Sequence, residues 1–165
     1  MNPPSNLLGH GDADFAQAVT RPRKPQNVLY AGLHDPTAWK AGEMRRCGLS
    51  SVSPAELATR GSQPVLDWFR TTGARHLAVH FDLDCLNPAA FRAVLFAQPD
   101  APPETFAGIA QSELTMAHVV RLLADVAQVA DIVGLGITEH LPWEALALRD
   151  MLTKLPLIGS PPPPR

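Results

Sequence analysis

Apolar and polar positions along the chain form two kinds of pattern, short continuous apolar runs and longer helix-like repeats. The apolar runs are rich in β-forming residues and predict strands, which lie at 28–33, 77–81 and 132–137. Apolar residues at helical spacing, with capping residues beside them, predict helices at about 36–46, 62–72, 115–127 and 143–154. Strands separated by helices indicate an α/β fold, a three-layer structure with a mainly parallel sheet flanked by helices.

Composition narrows the classes of function. Of the 165 residues, 45% are apolar and 18% are charged, which is typical of a globular chain, and the net charge of −2 does not favour a nucleic-acid partner. No apolar run approaches the ~20 residues that a membrane span needs, so no membrane partner is expected. The cysteines, Cys47 and Cys85, form no disulfide framework, and no secretory signal is visible, so the predicted location is cytoplasmic. We expect one partial α/β domain over 1–159 and a proline-rich tail over 160–165.

In open α/β sheets, ligands bind beyond the carboxyl ends of the strands, so the residues there are the first candidates for chemistry. Asp82 and Asp84 lie two residues apart at the end of an apolar strand, which points both carboxylates to the same side. Two adjacent carboxylates repel each other unless a cation neutralises them, and oxygen ligands suit Mg²⁺, Ca²⁺ or Mn²⁺. The alternative is structural: Asp82 caps a loop and Asp84 accepts loop N–H groups.

Two other strand ends and one N-terminal motif offer further candidates. The ends contain His34 and Asp35, and Glu139 with His140. Glu139 could bind a cationic group or a metal, or could cap the following helix, while His140 is more typical of hydrogen-bonded scaffolding. His10, Asp12 and Asp14 form an H-x-D-x-D motif, which we interpret as a helix start in preference to a metal site. For Cys85 we predict packing, because hard cations do not favour thiolate.

The residues around the aspartate pair resemble a known family. The run from Phe81 to Pro88, FDLDCLNP, is similar to the D-V-D-x-L-D-P signature of the ureohydrolases, the arginase and agmatinase family. Ser112–Thr115 resembles the family's G-x-L-T helix start, and 133–139 resembles its late strand, which ends in a functional Glu. The segment 7–12 resembles one that follows the family's substrate loop.

The resemblance implies a manganese-dependent hydrolase that cleaves a C–N bond of a guanidino or amidine small molecule. In that family two Mn²⁺ ions share a hydroxide. Asp82 would bridge the ions, Asp84 would bind one of them, and Glu139 would hold the guanidinium group. Asn87 departs from the signature's final Asp.

Other family motifs are missing from these residues. The sequence contains neither G-G-D-H nor D-A-H-x-D, the family's other ligand motifs, so no catalytic set is complete. We therefore expect an arginase-like but truncated fold, partial or weak Mn²⁺ binding, and an isolated chain that is impaired or inactive. The expected protein partner is a second copy of the chain, in a homo-oligomer, or a complementing N-terminal half.

Two alternatives stay open. The chain could be a non-catalytic ureohydrolase relic or partner subunit. FDLDCL also resembles the D-x-D-x-[T/V] start of haloacid-dehalogenase-type phosphatases, although Leu86 occupies the Thr or Val position and no acidic pair follows downstream.

Overall fold

A computed structural model describes residues 6–9, 12–34 and 38–159. The chain divides into two compact units, one formed by residues 1–30 and 36–51 and the other by residues 31–35 and 52–165. The predicted tail over 160–165 lies outside the described residues. No helix in the described ranges has the length and apolar character needed to cross a bilayer.

The first unit contains short elements. Helix α1 spans Ala13–Ala16, a 3₁₀ turn spans Pro25–Asn27, and helix α2 spans Ala38–Arg46. Asp12 precedes α1, and its Oδ1 accepts a hydrogen bond from the Asp14 N–H at 2.9 Å, as the helix-start interpretation of this motif predicts.

A two-stranded sheet joins strand β1, Leu29–Ala31, to strand β2, Ser50–Val52. The apolar run at 28–33 predicts the first strand, which we expect in one sheet with the other two. In the described part of the chain it pairs instead with β2. This strand has only three residues, Ser-Ser-Val, which are too few to show a periodic pattern.

The second unit holds most of the regular structure. In chain order its elements are α3 (Pro54–Arg60), α4 (Gln63–Thr72), β3 (His76–Asp82), α5 (Met116–Ala127), β4 (Asp131–Thr138) and α6 (Ala145–Leu152). Single 3₁₀ turns span Leu83–Cys85 and Leu95–Ala97. The predicted helices and strands of this unit are all present within one to two residues, whereas α3 is an addition.

Strands β3 and β4 run parallel and form the second sheet, with Leu77 paired to Ile132 and Asp82 paired to Thr138. The register shifts by one residue between Leu77 and Ala78, which leaves Val133 as an extra residue in β4. Because the strands are parallel, their carboxyl ends meet at one edge of the sheet.

The core of this unit lies against one face of the β3–β4 sheet. Phe81 of β3 packs there with buried residues of the loop after β3, of α5 and of α6, including Leu83, Val119 and Met151. Alternate residues of β3 face the other way and are exposed, from His76 to Asp82. The observed parallel strands flanked by helices confirm the predicted α/β class.

Helix α5 begins with reciprocal side-chain caps. The Thr115 hydroxyl accepts from the His118 N–H at 3.3 Å, and the His118 Nδ1 accepts from the Thr115 N–H at 3.2 Å. His118 is half-buried and satisfies the helix end, so its role is structural.

Candidate functional site

The candidate site begins where β3 and β4 end side by side. Asp82 closes β3 and pairs in register with Thr138, which closes β4 and is followed at once by Glu139. Asp84 lies on the 3₁₀ turn that continues β3. Leu83, between the two aspartates, is fully buried in the core and fixes this turn to the rest of the unit.

The aspartate pair has two different environments. The Asp82 Oδ1 accepts a hydrogen bond from the Asp84 N–H at 3.0 Å, so Asp82 caps the turn as the structural alternative requires. The other half of that alternative is not observed at the Oδ1 of Asp84. The Asp84 Oδ1 is buried and has no hydrogen-bond partner among the described residues. Buried polar atoms rarely lack a hydrogen-bond partner.

Neighbouring charges act on this carboxyl. Burial, Asp82 and Glu139, in that order, raise the pKa of Asp84 from 3.8 to about 6. His34 acts in the opposite direction on the same pKa. The fold therefore brings Asp82, Glu139 and His34 within electrostatic range of Asp84.

His34 also lies close to Asp84, although its sequence position predicts only a place at a strand end. Its Nε2 lies 2.9 Å from the Ala110 carbonyl oxygen, which holds the ring in place. Fifty residues separate His34 from Asp84, so no local spacing could have shown that they meet. Asp35, the other residue named at that strand end, lies outside the described residues.

Glu139 adopts an unusual backbone conformation. Its φ is +61°, in the left-handed region that residues other than glycine seldom occupy. Such strain is often found at functional sites, where the surrounding structure holds it in place. The side chain is exposed, as is that of the neighbouring His140.

Cys85 contributes to packing at the edge of the core. It is half-buried and packs against the core, as predicted. Burial, together with the charges of Asp82 and Asp84, raises the pKa of the thiol to about 12, so it stays protonated at neutral pH. Of the N-terminal motif, His10 lies outside the described residues.

The described residues fit part of a divalent-cation site and not the whole of it. The unpartnered Asp84 Oδ1 next to a second carboxylate is the kind of oxygen that a hard cation would satisfy. However, no group of three or more His, Cys, Asp or Glu side chains in the described ranges is arranged to hold an ion. The assignment of Asp82 and Asp84 as metal ligands remains a prediction, as does that of Glu139 as a substrate residue.

Comparison with known proteins identifies solved structures with a similar fold. No family model matches the chain, and no curated protein matches it. Among solved structures, it is similar to the arginase from Bacillus caldovelox, with a TM-score of 0.67 and 19% identity. The chain has part of the arginase fold.

Two further solved structures also match the chain. A cold-adapted arginase from the yeast Glaciozyma antarctica matches with a TM-score of 0.66 and 22% identity, over 94% of this chain and 51% of its own. A hypothetical agmatinase from Burkholderia thailandensis matches at 0.53 and 18% identity, over 78% of this chain and 35% of its own. The Bacillus caldovelox match covers 85% of this chain and 44% of that arginase. The chain therefore spans about half the length of the arginases that it matches.

Proposed function

We propose that this chain is the C-terminal part of a ureohydrolase, which hydrolyses a guanidino or amidine C–N bond with Mn²⁺. The observation that supports this most strongly is the buried, unpartnered Oδ1 of Asp84 beside Asp82, where two parallel strands of an arginase fold end. That combination favours the ureohydrolase over the phosphatase alternative.

Each of the three acidic residues has a distinct part in the proposal. Asp82 and Asp84 contribute carboxylate oxygens to the metal, and the Asp82 Oδ1 also holds the turn that orients Asp84. Glu139, exposed at the next strand end, attracts the cationic guanidinium group. Bound Mn²⁺ would supply an activated hydroxide at neutral pH.

The isolated chain is expected to lack this activity. An activated hydroxide needs a metal held in fixed geometry, and two carboxylates leave most coordination positions to water. Binding a guanidinium at Glu139 without that nucleophile gives no rate. Further ligands from a complementing N-terminal half would complete the enzyme; without such a half the chain is a non-catalytic relic or partner subunit.

The test is urea release from arginine and agmatine by the purified chain with added Mn²⁺. The expected result is the same background rate for the wild-type chain and for Asp82→Ala. A second test co-expresses the chain with an N-terminal half from a solved arginase. It compares Glu139→Gln with Glu113→Gln, a matched control at another exposed glutamate. In the reconstituted enzyme Glu139→Gln should lose activity, whereas Glu113→Gln should retain it. Robust turnover by the chain alone, abolished by Asp82→Ala, would contradict the incomplete site.

A further inference from the structure

A cavity of about 320 Å³ opens among three helices of the second unit, away from the candidate site. Helix α3 contacts α4, and α4 contacts α5. The cavity is lined by the end of α3, by the turn that leads into α4 and by the first half of α5. No residue of β3 or β4 lines it, so a further strand added to their sheet would neither fill this cavity nor complete it.

The guanidinium group of Arg121 is held in place at the wall of this cavity. Its Nε lies 3.7 Å from the Oδ2 of Asp125, one turn later on α5, and the same oxygen accepts a hydrogen bond from the buried Ser62 hydroxyl at 2.6 Å. Its Nη2 lies over Gly61, where an added Cβ would be 3.8 Å away. Asp125 therefore orients the group at Nε, and the terminal N–H groups are left as donors.

His118 and Arg60 add two further donors to the lining. The His118 Nδ1 accepts from the Thr115 N–H, so the proton of the neutral ring is on Nε2. Arg60 forms no ion pair within the described part of the chain. Glu56, one turn earlier, is within electrostatic range of it but directs its Oε2 to the Ser53 N–H. No described Asp or Glu side chain lines the cavity.

We propose that this cavity binds a small organic carboxylate. The N–H groups of a guanidinium match the two oxygens of a carboxylate and form charge-assisted hydrogen bonds with them. Asp125 offsets one of the two arginine charges, which favours a ligand with one negative charge over a phosphate group with nearly two. Leu57 and Leu122 give the same lining an apolar part for a short alkyl chain. Because α3 ends and α4 begins here, their dipoles oppose each other and the arginines set the sign of the potential.

The experiment titrates butyrate into the ¹⁵N-labelled chain without metal and follows the amide chemical shifts. We expect saturable shifts centred on 57–62 and 118–122, with a Kd of roughly 1–30 mM. Arg60→Gln and Arg121→Gln should each raise that Kd at least about five-fold, because each removes a charge-assisted hydrogen bond. Arg75→Gln is the matched control: it removes an exposed arginine outside the cavity and should leave the Kd unchanged. Butyramide, which has the same shape without the charge, should give no saturable shift.

Four outcomes would overturn the proposal. They are the absence of saturable shifts with butyrate, equal binding of butyramide, a Kd that neither arginine variant changes, and tighter binding of inorganic phosphate than of butyrate. Arg60→Gln breaks no ion pair, so a folding effect from the loss of the Arg121–Asp125 pair would not obscure the result. The titration contains neither Mn²⁺ nor a guanidino compound, so this site can fail without affecting the proposed function.

Discussion

The unpartnered carboxyl of Asp84 should make the folded chain less stable at neutral pH than it would be without that charge. Asp84→Asn keeps the size of the side chain and removes its ionisation. Because burial and two neighbouring carboxylates raise the pKa of Asp84 from 3.8 to about 6, the folded state holds its proton more strongly than the unfolded state does. The variant should therefore be the more stable protein at pH 7.

The size and pH window of the effect follow from that pKa. Below pH 3.8 both states are protonated and this group contributes nothing. Between pH 3.8 and about 6 the unfolded chain loses its proton first, so the wild type loses stability as pH rises, and above about 6 the loss is constant. The full pKa change sets an upper limit of about 3 kcal/mol, and solvent screening of this half-buried group reduces it to about 1 kcal/mol.

Urea unfolding followed by circular dichroism at pH 4, 5, 6 and 7 measures this difference. Asp84→Asn should match the wild type at pH 4 and exceed it by about 1 kcal/mol at pH 7. Asp100→Asn is the matched control, because Asp100 is exposed and asparagine tolerates its φ of +58°. A difference that does not change with pH, or a variant less stable at pH 7, would refute the reasoning.

Three further predictions can be checked by the same unfolding assay. Gly32→Ala should lower the free energy of unfolding by about 2–4 kcal/mol, since φ is +84° and a Cβ would lie 2.4 Å from the Leu114 Cδ1. Gly42→Ala, in α2 with open space around it, should raise that free energy by about 0.5–1 kcal/mol. Equal effects of the two substitutions would contradict this reasoning. Glu139→Gly should be more stable than Glu139→Ala by about 1 kcal/mol, because glycine adopts a φ of +61° without strain; the reverse order would argue against strain there. Leu83→Ala should cost about 2–5 kcal/mol, because the side chain is fully buried, and a cost under 1 kcal/mol would contradict its role in the core.

The sequence predicts what short-range patterns specify. Continuous apolar runs predict β3 and β4 to within a residue, and helical spacing after Thr115 predicts α5. Helix α3 is missed because its seven residues are too few to show an apolar period, although Ser53 and Glu56 form a capping box at its start.

Some features of the candidate site also have a local signal in the sequence, and others do not. Asp82 and Asp84 lie two residues apart in the sequence, so their shared turn follows from their spacing. The approach of His34 depends on long-range packing, and the unusual φ of Glu139 depends on the chain path after β4, so neither has a local signal. The one-residue shift at Val133 is likewise a property of strand pairing and not of either strand's pattern.

We propose that Asp82 and Asp84 form one part of a manganese site whose remaining ligands come from outside the described residues. Calorimetric titration of the purified chain with Mn²⁺ tests it most directly. We predict weak binding, with a Kd of roughly 0.1–1 mM as in the weakest oxygen-ligand sites, that disappears when Asp82→Asn and Asp84→Asn are combined and survives in Asp100→Asn. Tight binding that persists in the double variant would contradict the account.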